Sequence, residues 1–76
     1  MNKARREMIR KVIEALDDAR VMLDEIREEE EDYMNNIPEN LTGSERYEKA
    51  EESVYNMEDA VSTLEEMVST LEEVIE

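Results

Sequence analysis

The side chains with the clearest chemical potential are the carboxylates. Five run without interruption from Glu28 to Asp32, and a second set falls in pairs at seven-residue intervals: Glu51-Glu52, Glu58-Asp59, Glu65-Glu66 and Glu72-Glu73. Clustered carboxylates can hold a hard cation, yet Ca²⁺ loops of the EF-hand kind alternate their oxygen ligands around a glycine. A straight helix instead sends Glu28 to Asp32 in all directions about its axis, so the expectation there is a solvated acidic surface and no metal. Pairs seven residues apart on a helix recur about every 10 Å along one side. Such a ladder can act as a solubility face or dock on a basic helix. It can also imitate a nucleic-acid backbone, whose charges form a regular anionic row.

Nothing else in the chain suggests a reaction. There is no histidine and no cysteine, which removes the usual zinc ligands and any disulfide framework. Ser44, Ser53, Ser62 and Ser69 have no base to activate them, and no glycine-rich phosphate loop is present. The expectation is a protein that is not an enzyme and has no cofactor. Nine basic residues stand against 23 acidic ones, for a net charge of −14. Beyond Val12 the balance is four basic to 22 acidic, which disfavours direct binding to nucleic acid. A protein partner, including a nucleic-acid-binding one, fits that surface better.

These groups need elements to position them, and 76 residues allow one domain with a thin core. Chains of this size are usually reinforced by disulfides, a metal or oligomerisation, and only the last is compatible with this composition. No apolar run approaches the roughly 20 residues that cross a bilayer. The basic start, Met1 to Arg6, leads into an amphipathic pattern and not into a signal-peptide core. A cytoplasmic location is the expectation, and the sequon-like Asn40-Leu41-Thr42 carries no weight there.

High charge with few aromatic residues can signal disorder, but the apolar positions are too regular for that. From about residue 2 to 35, Ile9, Val12, Leu16, Ala19, Leu23 and Ile26, then Tyr33 and Ile37, step by three and four. These are heptad a and d positions, with Glu30 as the break. Met8, Ala15 and Met22 widen the stripe on one flank and Ile13 on the other. From about residue 44 to 76 the spacing is stricter, through Tyr47, Ala50, Val54, Met57, Val61, Leu64, Val68, Leu71 and Ile75. Ala60, Met67 and Val74 lie on its flank. From Val54 the chain reads as three similar heptads, VYNMEDA, VSTLEEM and VSTLEEV, and a period of 3.5 implies a left-handed supercoil.

The connector, about residues 36 to 43, contains Pro38, which discourages helix at Ile37 and stops the first helix. Thr42 with Glu45 fits a capping box, and Ser44 competes as N-cap. A link this short favours antiparallel neighbours. The charges agree: Lys3, Arg5, Arg6, Arg10 and Lys11 oppose the dipole of their own helix but would lie beside the acidic end of the second. Arg46 and Lys49 likewise sit across the turn from Glu28 to Asp32. The predicted fold is an all-α antiparallel two-helix hairpin, coiled-coil-like.

The apolar stripe is too wide for a two-helix seam and suits a bundle. Dimerisation into a four-helix bundle, with crossings near 20°, is therefore expected, with Met8, Ile13, Met22, Met67 and Val74 as the self-association residues. A heteromeric bundle and a monomer with scattered exposed methionines are the alternatives. At the tip, Tyr33 and Tyr47 read as a hydrophobic plug. Tyr33, Asn36, Pro38, Asn40 and Leu41 form a second candidate docking surface. Tyr55 and Val21 point outward, as single apolar residues often do.

The stretch from Ile26 through Glu52, above all Glu28-Glu29-Glu30, Tyr33 and the run from Asn36 to Arg46, resembles small uncharacterised acidic helical-hairpin proteins of Gram-positive gut bacteria and their phages. The resemblance brings no residue roles with it, and its phage association points to an anti-defence role. Three functions follow. The first is an acidic protein–protein interaction module acting through a self-associating hairpin. The second is a phage-type inhibitor that mimics nucleic acid with its acidic face. The third is a structural coiled-coil component of a larger assembly.

Overall fold

The computed structural model describes all 76 residues. The first helix, α1, spans Lys3–Asn35, and the second, α2, spans Glu45–Val74. They are packed against each other as a hairpin measuring 59 × 15 × 13 Å. Neither helix is long and apolar enough to cross a membrane.

The helix ends follow from local hydrogen bonding. The first N–H groups of a helix lack intrahelical acceptors. At α1 the Asn2 side chain accepts from the Arg5 backbone N–H at 2.8 Å. At the other end, the Asn36 side-chain amide donates to the Asp32 carbonyl at 2.8 Å, and extended backbone at Pro38 carries the chain away. A single 3₁₀ turn, Glu39–Leu41, fills the connector.

Of the two candidate caps for α2, Ser44 is the one used. Its hydroxyl accepts from the Tyr47 N–H at 3.2 Å. The Thr42 hydroxyl instead donates to the Glu39 carbonyl at 2.9 Å and closes the 3₁₀ turn. Glu45 and Glu48 in the first turn of α2 complement the positive end of its dipole. No basic residue lies in the last turn of either helix.

The predicted stripe of α2 is the observed one: every position from Tyr47 to Ile75 in that series is buried or half-buried. Ala50, Val54 and Val61 are its fully buried members, and Ile37 of the connector is the only other buried residue of the chain. On α1 the contact face differs from the expected one. Ile9, Leu16, Leu23 and Glu30 are half-buried, as their a positions imply, but Val12, Ala19, Ile26 and Tyr33 are exposed. Their places are taken by Ile13, Arg20, Arg27 and Met34, with Arg6 continuing the series.

The physical reason is that α1 carries two apolar stripes offset by one residue, which is about 100° of rotation. A single neighbouring helix can cover only one of them. The covered stripe is the one that also contains the arginines. Their alkyl stems can lie along the seam while the guanidinium heads stay in water. Arg27, with a side chain only 17% exposed, is the clearest case.

Candidate functional site

The hairpin has two unlike sides. On α2, Glu51, Glu58, Glu65 and Glu72 each follow a seam residue, and Glu52, Asp59, Glu66 and Glu73 stand one place further out. All eight are exposed. On α1 the same side carries Asp17, Asp24 and Glu31, which follow Leu16, Leu23 and Glu30 in the same way. Arg20 and Arg27 reach into this acidic side. Arg20 donates to Asp17 at 3.0 Å, and Arg27 to Asp24 at 2.9 Å and to Glu31 at 2.5 Å.

Both guanidinium groups are held above the ordinary arginine pKa. For Arg20 the main cause is the hydrogen bond it donates to Asp17, reinforced by that carboxylate's charge and, across the seam, by Glu65. For Arg27 the main cause is the hydrogen bond to Asp24. Every ion pair within 4 Å joins residues of one helix. The head-to-tail pairs expected between the helices are not formed as ion pairs: Arg10 pairs with Glu7 and Lys49 with Glu45 of its own helix. Those two pairs, with both partners exposed, contribute little stability each.

The opposite side carries most of the exposed apolar residues of the helices, although Val21 and Tyr55, which follow the seam residues Arg20 and Val54, are exposed on the acidic side. Met67 and Val74 each precede a seam residue of α2, and both are exposed. Val12, Ala19, Ile26 and Tyr33 precede seam residues of α1. One contact fixes these two sets on the same side. The Arg46 guanidinium, one residue before Tyr47, lies 5.4 Å from the centroid of the Tyr33 ring, one residue before Met34. Met8 and Met22, each one residue before Ile9 and Leu23, extend the apolar flank and are 66% and 63% exposed.

Four of the five expected self-association residues, Met8, Met22, Met67 and Val74, thus lie free. Ile13 does not: it is half-buried in the seam against α2, because the seam follows the stripe that contains it. Sequence reasoning passed over Arg6, Arg20 and Arg27 as contact residues. The available signal was their spacing with Ile13 and Met34, all separated by multiples of seven, which sets them on one line of the helix.

At the tip, Tyr33, Asn36, Pro38, Asn40 and Leu41 are all exposed, and the buried residue there is Ile37. Tyr33 is not the plug it was expected to be, since 43% of it is exposed and Arg46 covers its face. Tyr47 is half-buried as expected.

Two shallow depressions lie on α2. One is lined by Thr63, Glu66, Met67, Thr70 and Leu71, the other by Ser62, Glu65, Glu66, Ser69 and Thr70. No three carboxylates converge as a cation site would need, in the run Glu28 to Asp32 or elsewhere. Of the serines, Ser44 is engaged as the cap of α2, and Ser53, Ser62 and Ser69 stand exposed along the helix.

No protein-family model matches the chain, and no curated protein or solved structure is significantly similar to it.

Proposed function

We propose that the chain is a non-enzymatic protein–protein interaction module. It associates with itself through the apolar flank, closing a four-helix bundle, and offers its acidic side to a basic surface on another protein. The observation that carries this reading is the segregation itself. Met8, Val12, Met22, Ile26, Met67 and Val74 occupy one side of the seam, and a ladder of eight exposed carboxylates stands on the other, with Val21 and Tyr55 as the two large apolar residues exposed among them. Exposed apolar surface shared by two helices is characteristic of association sites. The ladder has no lysine or arginine of its own helix beyond Lys49, so an external cation has open access to it.

A second reading, occupation of the nucleic-acid groove of a host defence protein or nuclease, draws support from the spacing of the same ladder. Its repeat of about 10 Å follows from seven residues of helix and forms a regular anionic row.

The test is capture of partners from a Gram-positive lysate by the tagged chain. It is set beside a variant with Glu65, Glu66, Glu72 and Glu73 replaced by Gln, and elution is in rising salt. A protein held by the parent chain, lost by the variant and released by salt supports an acidic docking face. Competition by duplex DNA for the same protein would select the mimicry reading. Equal capture by parent and variant would remove the ladder from the function and point to the tip. There, changes at Asn36, Pro38 and Asn40 provide the corresponding test.

A further inference from the structure

We infer that α1 pairs with α1 of a second copy, antiparallel, about a two-fold axis level with Asp17. This rests on the self-association just proposed and adds which helix mediates it, in which direction and in which register.

The free stripe of α1 consists of Met8, Val12, Ala15, Ala19, Met22 and Ile26, all exposed. Their spacing of four, three, four, three and four residues is that of a complete heptad seam. Each lies one residue before a member of the covered seam, so the two faces diverge by about 100°. That is close to the right angle at which a helix in a four-helix bundle meets its two neighbours. In this arrangement α2 takes one neighbouring position and the second copy takes the other.

The hairpin also leaves surface to cover. It exposes 5794 Å², about 900 Å² more than the roughly 4,900 Å² of a compact monomer of 9.0 kDa by the usual surface scaling. The reason is that two helices of this length form a rod with no second layer.

The stripe is self-complementary in the antiparallel direction. With Asp17 level with its own copy and the helices antiparallel, Met8 faces the partner's Ile26, Val12 faces the partner's Met22, and Ala15 faces the partner's Ala19. Long side chains meet long ones, and the small residues meet at the centre, where the backbones approach most closely.

Charge selects the same direction. Arg5 comes level with the partner's Glu29, and Lys11 lies diagonally across from the partner's Glu25, each twice by symmetry. A parallel arrangement would set the basic starts of the two helices together and likewise the acidic runs ending at Asp32. One contact in the antiparallel register is unfavourable: Asp18, on the outer flank beside the axis, meets the partner's Asp18.

Sedimentation equilibrium and spin-label distances on the full chain test this. The parent chain should sediment as a dimer at tens of micromolar. Nitroxides on Asp18→Cys should lie within about 15 Å of each other. Those on Asp32→Cys should lie about 45 Å apart, being thirty residues of helix rise distant. Arg5→Glu alone and Glu29→Arg alone should each weaken the dimer on the order of tenfold, and the double exchange should restore it. All four positions are exposed, and circular dichroism would verify that the variants stay folded.

A monomeric parent chain would overturn both this inference and the self-association beneath it. A dimeric parent with a short Asp32 distance, a long Asp18 distance or no rescue by the exchange would overturn the antiparallel α1 register alone.

Discussion

The Arg46 guanidinium stacks over the ring of Tyr33, 5.4 Å from its centroid, joining the first turn of α2 to the last turns of α1 beside the connector. It is a contact between helices made by two residues outside the seam, on the side of the hairpin that carries the exposed methionines. A cation over an exposed aromatic face contributes about 0.5–1 kcal/mol. Tyr33→Leu and Arg46→Gln, measured singly and together by urea unfolding, should give a coupling energy of that size. A coupling near zero would mean that the ring and the guanidinium are neighbours without consequence.

The two hydroxyls of the connector should be unequal. Ser44 accepts from the Tyr47 N–H, and removing a helix N-cap typically costs about 1 kcal/mol. Thr42 donates to the Glu39 carbonyl within the 3₁₀ turn and leaves the helix start untouched. Ser44→Ala is therefore expected to lower the urea midpoint more than Thr42→Ala. The reverse order would restore Thr42 and Glu45 as the capping pair.

Gly43 should be replaceable with a gain. Its φ is not positive, and a Cβ placed there would meet nothing within 4 Å. Gly→Ala at a compatible position stabilises by about 0.4–1 kcal/mol, chiefly by restricting the unfolded chain. Thermal unfolding of Gly43→Ala should show a raised midpoint, and a lowered one would show that the connector uses backbone conformations closed to alanine.

The response to pH should be one-sided. Arg20 and Arg27 have guanidinium pKa values raised in the folded state. A raised value stabilises wherever the unfolded chain is still protonated, and that stability is lost only as pH climbs through the raised value, in strong alkali. Across the neutral range these arginines contribute a constant amount. Towards pH 4 carboxylates begin to protonate, and the repulsion behind the net charge of −14 falls. Helicity followed by circular dichroism from pH 7 to 4 is expected to hold or rise. A sharp loss would mean that pairs such as Asp17–Arg20 outweigh the repulsion.

The architecture was legible because Pro38 and the turn chemistry around it separate two strongly periodic segments. The contact face of α2 was legible because only one line of that helix is continuously apolar, from Tyr47 to Ile75. The face of α1 was not, and the ambiguity is physical. Val12 and Ile13, Ile26 and Arg27, and Tyr33 and Met34 are adjacent pairs, and each offers either line of the helix a side chain with enough apolar length. Counting arginine as polar favoured the line through Val12 and Ile26, whereas its stem packs and its charge is attracted to Glu65. The carboxylate ladder was fully visible as a repeat. Its position opposite the apolar flank depends on which way α1 is turned, and only the packed pair of helices fixes that.

No residue of α1 is fully buried, while α2 holds Ala50, Val54 and Val61 in confined positions. The two helices should consequently differ in how freely they accept substitution. Packing within the hairpin limits what α2 can carry along its seam. It places almost no restriction on the outer lines of α1. If a saturation library scored for folding alone accepts polar residues at Val12, Ala15, Ala19 and Ile26, but the same library scored for assembly rejects them, the restriction at those sites comes from a second molecule. Tolerance along one helix would then serve as a gauge of quaternary structure, read without ever isolating the complex.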